Sequence, residues 1–157
     1  MAVSDAVQGA FESGEISLPA DGIPTVRVPL AELLEALERV RGTLGYRRFV
    51  DLTAVDRLSR EERFELVYLF YSLEQHTWFR LKTRTDRQAP SITPLVPGAN
   101  WYEREVFDLF GIEFQGHPDL RRIMLPDDWQ GHPLRRTEPL GSEPVDFTVT
   151  RRMYGTD

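Results

Sequence analysis

The run from Phe64 to Leu73 limits the possible folds more than any other part of the chain, because apart from Glu65 and Ser72 it is apolar at both alternating sets of positions. A strand of that kind belongs in the centre of a sheet covered on both faces, since an open face shows polar residues at every second position. Glu74 and Gln75 leave room only for a tight connection. Thr77, Phe79, Leu81 and Thr83 then alternate with Trp78, Arg80, Lys82 and Arg84, which predicts an antiparallel partner with one more exposed face. Upstream, Arg48, Val50, Leu52 and Ala54 set the period of a strand that ends near Asp56, ahead of the charged turn from Arg57 to Arg63.

These strands follow a shorter strand and a helix. Thr25 to Val28 reads as extended, and Pro29 opens a helix whose apolar stripe is Leu30, Leu33, Leu34, Leu37 and Val40, with Glu32 and Glu35 early and Arg39 and Arg41 before Gly42. The order strand, helix, three strands predicts an α+β fold, a mixed β-sheet with helices packed on one face. Thr85 to Pro90 reads as a loop and Ser91 to Val96 as a short extended segment. Residues 1–22, polar and without period, form a flexible or partner-docked lead-in to an α+β domain over 23–111. Residues 112–157 show no sustained period and are expected to be a long, irregular interaction tail.

With 157 residues, 41% of them hydrophobic, the chain is large enough for one modest core without disulfides or structural metals. A net charge of −6, with Arg and Asp/Glu interleaved along the tail, argues against nucleic acid as a partner, because phosphate recognition needs a concentrated positive field. The longest apolar run, Leu66 to Tyr71, is far short of the ~20 residues of a membrane span, and the acidic start of the chain is unlike a signal peptide, so a cytosolic chain with no span of its own is expected. Cysteine is absent, which removes the usual ligand set of an iron–sulfur cluster. Phosphate-binding glycine loops, HExxH and GxSxG are missing as well.

One segment exceeds what a generic fold requires. After Pro97-Gly98, Asn100 is a plausible N-cap with Glu103 as its capping-box partner, Tyr102, Val106, Leu109 and Phe110 form a buried stripe, and Gly111 is the helix stop. Glu103, Arg104, Glu105 and Asp108 crowd this one helix, with Arg104 and Asp108 spaced as an i,i+4 pair. Taken alone, that is an amphipathic helix whose exposed ion pairs contribute ~0.3 to 0.5 kcal/mol each. Beyond it, Gly-His-Pro occurs twice, and Trp129, Leu134 and other apolar residues recur in a stretch with no regular structure, as expected of a segment that buries them against something.

Two chemical alternatives attach to the same residues. His117 and His132, with Asp119, Asp127 and Asp128 nearby, suggest the ligands of a stand-alone metal-dependent hydrolase. Against this, each histidine precedes proline, which favours a structural bend. Glu103, Glu105 and Asp108 suggest acid–base chemistry, but that requires contrasting environments for the carboxylates, and nothing in the sequence supplies them.

The run Glu103-Arg104-Glu105, Asp108-Leu109-Phe110, His117, Arg121-Arg122-Ile123-Met124, continued by Pro126 to Arg135, resembles the signature of the C-subunit family of the proton-translocating NADH:quinone oxidoreductase, respiratory complex I. Past Arg135 this chain has Arg136-Thr137-Glu138-Pro139 where the family commonly has Lys-Asp-Tyr-Pro, so the implied contacts stop there. The resemblance implies a non-catalytic subunit of the peripheral arm, held on the cytoplasmic side of the membrane through the complex. Its partners would be chiefly the quinone-site subunit and the cluster-bearing subunits. FMN and iron–sulfur clusters would belong to those partners and no cofactor to this chain. Glu103, Arg104, Glu105, Asp108, His117, Arg121, Arg122, Asp127, Trp129, His132 and Arg135 would be structural or interface residues, with Glu103, Arg104, Glu105 and Asp108 fixing geometry through ion pairs. The corresponding subunit of a related membrane-bound hydrogenase or non-NADH dehydrogenase is the alternative within the superfamily.

Overall fold

A computed structural model describes residues 5–11, 14–58 and 61–138. Residues 139–157 of the expected tail lie outside the described residues, as do 1–4 and 12–13 of the expected lead-in. A five-stranded mixed sheet has the order β1 (Glu15–Ser17), β2 (Thr25–Arg27), β5 (Thr77–Thr85), β4 (Phe64–Ser72), β3 (Arg48–Asp56). Only β2 and β5 run parallel, and the other neighbours are antiparallel. The register aligns Leu52, Tyr68, Leu81 and Val26 across four strands, and these residues are buried on one face.

Every helix packs on that inner face. After the short α1 (Asp5–Ala10), Phe11 stacks on Phe79 with ring centroids 6.1 Å apart, and Val7 is also in the core. Residues 5–11 and 14–17, within the stretch read as a lead-in, therefore belong to the folded body. The helix expected after Pro29 changes pitch along its length, from a 3-10 turn (Leu30–Glu32) to α2 (Leu33–Glu38) to a π-turn (Arg39–Thr43). Leu33, Leu37 and Val40 are buried as the stripe predicts, while Leu34 is exposed and Ala36 takes the inner position. α3 (Ala99–Phe110) lies across β3 and β4, with Tyr102 edge-on to Phe49 and Phe110 edge-on to Phe64.

Three local readings change. A bulge between Phe49 and Asp51 adds one residue to β3, so Phe49 rather than Val50 meets Phe70 and the period restarts before Leu52. Ser91 to Val96 is a chain of turns, and the extended piece lies just before it, in β6 (Gln88–Pro90). β6 pairs in parallel with β7 (Glu113–Gln115), the one regular element in the described part of the tail. The outer face of β4, expected to be covered, is not, because Val67, Leu69 and Tyr71 are only half-buried. From Gly116 to Glu138 the chain has no regular element and folds back against the C-terminal half of α3.

Candidate functional site

α3 starts at Gly98 without a side-chain cap, so the capping box expected from Asn100 and Glu103 does not form. Glu103 turns instead to the loop after β6. It accepts hydrogen bonds from Ser91 Oγ (2.6 Å), Thr93 Oγ1 (3.2 Å) and the Ile92 amide (2.6 Å). Burial nevertheless dominates, and the Glu103 carboxyl is held above the usual carboxylate range despite these donors. His117 lies 3.9 Å from the same carboxylate. Its Nδ1 accepts the Asp119 amide at 3.0 Å, so the proton sits on Nε2, which donates to the Asn100 carbonyl at 3.2 Å.

One helical turn further on, α3 grips the tail. Asp108 Oδ2 accepts the backbone amides of Ile123 (3.0 Å), Met124 (2.8 Å) and Leu125 (3.0 Å), and Oδ1 accepts Arg122 Nη1 at 2.5 Å. Burial alone raises the Asp108 pKa, but the three amides and the guanidinium outweigh it and hold the carboxylate below its ordinary range. Arg104 takes the other polar edge of the same segment, donating from Nε to the Arg121 carbonyl and from Nη2 to the Arg122 carbonyl, both at 3.1 Å. Its guanidinium also lies over the Trp101 ring, 5.2 Å from the centroid. The i,i+4 ion pair expected between Arg104 and Asp108 is thus replaced by two separate attachments to the tail backbone.

The tail in turn satisfies the end of the helix, where four carbonyls lack intrahelical partners. Gly111, with φ of +70°, closes on the Phe107 carbonyl. His132 Nδ1 donates to the Asp108 carbonyl at 2.9 Å, and the Leu134 amide donates to Leu109 at 3.1 Å. Arg135 bonds the carbonyls of Phe110 (2.6 Å) and Gly111 (3.3 Å), placing a cation at the negative end of the helix dipole. From the far side, Arg122 Nη2 holds the carbonyls of Trp129 (3.2 Å) and Gly131 (3.1 Å).

A second anchor was not read from the sequence. Asp56, buried at the end of β3, accepts Nε and Nη2 of Arg63, the Leu58 amide and, at 2.9 Å, the Arg136 amide. The Arg63 hydrogen bonds, countered only in part by burial, hold its carboxylate far below the ordinary range. Arg63 also reaches Thr137 Oγ1 at 3.0 Å. Asp56 read as an ordinary strand end, and its partner in the tail lies 80 positions away, beyond any local pattern.

The remaining residues singled out face outward. Glu105 and Asp127 are exposed and have no hydrogen bond or ion pair with the described residues, so Glu105 fixes no geometry through an ion pair here. Arg121 is exposed and paired with Asp119 at 2.9 Å, and Trp129 is half-buried. His117 and His132 do not converge. Each is committed to a backbone carbonyl, and among the described residues no group of three or more His, Cys, Asp or Glu is placed to hold a metal ion. The metal-hydrolase alternative therefore has no geometric basis. With their oxygens occupied by donors, Asp108 and Glu103 act as anchors, and the site as a whole is an attachment of the tail to the domain.

The profile of the family described as the 30 kDa subunit of respiratory-chain NADH dehydrogenase matches residues 26–144. The C subunit of NADH-quinone oxidoreductase from a Roseiflexus species is 43% identical over 98% of this chain and 87% of its own length. The fused C/D subunit of Methylococcus capsulatus is 46% identical, and there the match spans only 22% of the longer protein. Among solved structures, the trypsin-resistant fragment (1–134) of Nqo5 superposes with a TM-score of 0.65 at 31% identity, covering 73% of this chain and 96% of that one. A chain of the membrane-bound sulfane sulfur reductase, an archaeal respiratory membrane complex, superposes with a TM-score of 0.67 at 28% identity, covering 78% and 75%.

Proposed function

The chain belongs to the family of the 30 kDa subunit of respiratory-chain NADH dehydrogenase, the C subunit of NADH-quinone oxidoreductase, and on that premise we propose that it is a cofactor-free scaffold of the peripheral arm. It docks near the quinone-site subunit, on the cytoplasmic side of the membrane, in a complex that passes electrons from NADH through FMN and iron–sulfur clusters to quinone and couples this to proton translocation. The cofactors reside in partner subunits. Among the described residues no helix is long and apolar enough to cross a membrane, which is consistent with a peripheral attachment.

The observation that carries this reading is the use made of the charged signature. Arg104 and Asp108 are spent on opposite edges of one tail segment, and Arg122, His132 and Arg135 on carbonyls, so the signature shapes a surface and leaves few of its groups free to react. On the outside of this construction stand Glu105, Asp127, Met124 and Leu134, exposed side chains suited to contact a neighbouring subunit. Residues 112–157 serve as the interaction segment in this reading, the described part being set in shape by the domain.

Purification of the complex through a tag on this chain is the test. The expected result is co-purification with flavin- and cluster-bearing subunits and NADH-dependent quinone reduction, with no visible absorbance from the chain alone. The likeness to the sulfane sulfur reductase keeps one alternative, a related non-NADH respiratory complex, for which the purified assembly would reduce its acceptor without oxidising NADH.

A further inference from the structure

The helices all cover the inner face of the sheet, and the outer face is built for something else. Its register sets Val55 of β3 beside Glu65 and Arg84, Val67 between Thr53 and Lys82, Leu69 beside Arg80, and Tyr71 beside Trp78. Val55 is 42% exposed and Trp78 40%, and Val67 and Leu69 are half-buried, although β4 has the sequence of a strand covered on both sides. Apolar side chains left in this state on a five-stranded sheet are characteristic of a surface that a partner covers.

The other half of the same face is cationic. Glu65, fully buried, is surrounded by Arg57 Nη2 (2.6 Å), Lys82 Nζ (3.1 Å), Arg27 Nη2 (3.3 Å) and Arg84 Nε (3.9 Å). Glu15 also pairs with Arg27, while Arg80 is matched by Asp21. Four cations therefore meet two carboxylates, in a chain whose net charge is −6. Asp51 on β3 and Glu62 at the edge of the adjoining cleft are the other acids nearby, and neither reaches these cations. The Nε groups of Arg27 and Arg84 are buried and have no hydrogen-bond acceptor. A buried guanidinium N–H without an acceptor is costly, and an incoming carboxylate supplies one.

Building on the complex-membership reading above, we propose that this outer face docks an acidic segment of a neighbouring subunit, whose carboxylates meet Arg27, Arg57 and Arg84 while its apolar side chains cover Val67, Leu69 and Trp78. Nucleic acid or anionic lipid satisfies only the cationic half, and a polypeptide with both kinds of side chain satisfies the whole face.

The chain has no cysteine, so Val55→Cys introduces its sole thiol at an exposed point of the face. In the purified complex that thiol should react with iodoacetamide at least about tenfold more slowly than in the isolated chain, as burial in an interface demands. Photoreactive benzoylphenylalanine in place of Trp78 should cross-link to one identified subunit, at a peptide with a surplus of Asp and Glu. Arg57→Glu, which leaves three cations around Glu65, should then lower the recovery of that subunit several-fold, and Arg57→Lys should restore it. Equal thiol reactivity in both states, or a cross-link to lipid, nucleic acid or a peptide without acidic surplus, overturns the docking surface while leaving membership of the complex intact. A chain that joins no complex overturns the subunit reading itself.

Discussion

Asp108 and Arg122, fourteen positions apart, meet at 2.5 Å across the seam between α3 and the tail, and Arg122 then spans from that carboxylate to the carbonyls of Trp129 and Gly131. Removing one partner leaves the other charge in a poorly solvated site, which typically costs ~3 to 5 kcal/mol. Asp108→Asn should destabilise the isolated chain by roughly that amount in urea unfolding, because the amide both loses the charge and directs N–H groups toward N–H groups. Combined with Arg122→Ala, the loss should be clearly less than additive.

Gly111 has no room for a side chain. A Cβ there would collide with Arg135 Nη2 and lie 2.5 Å from His132 Nε2, at a φ of +70°. Gly111→Ala should therefore release both tail caps as well as strain the backbone, costing ~2 kcal/mol or more. Hydrogen exchange should show the loss as faster exchange of the Leu134 and Arg136 amides, with the strands of the sheet unchanged.

Acid should loosen the tail before the sheet. Asp108 and Asp56 titrate below their ordinary range when folded, so the stability they contribute is present above the unfolded value of about 3.9 and is lost as pH falls through the lower folded values. Glu103 is raised, so its contribution has the opposite sign, present below about 4.3 and lost as pH rises through the folded value. Asp56→Asn should flatten the acid limb of a Tm-versus-pH curve, and Glu103→Gln the fall on its neutral side.

Much of this was legible in advance because it is local. The strand periods, the stripe of α3 and the stop at Gly111 are set by residues close in sequence, and each appears where the pattern places it. The partners of the charged residues were not legible. Arg104 and Asp108 stand at a spacing that suits an ion pair, yet both found stronger partners in tail amides and carbonyls, which have no sequence signature. Glu103, Glu105 and Asp108 look equivalent in sequence, and the fold separates them into two buried anchors and one exposed acid.

That separation gives Glu105 a distinct expectation. Glu105→Ala should change the stability of the isolated chain by well under ~1 kcal/mol, as for a solvated surface charge. A lower yield of assembled complex with unchanged chain stability would assign Glu105 to a partner interface. A large loss of stability would contradict the exposed position.

The central claim is that the signature organises a docking surface and takes no part in the chemistry. The most direct measurement is NADH:quinone reductase turnover per assembled complex, with complex quantified by its flavin, for Arg104→Ala and Asp108→Asn. The account predicts that both variants lower the amount of complex while each assembled complex turns over at close to the unsubstituted rate. Full assembly with slowed turnover would contradict it, placing these residues in the reaction itself.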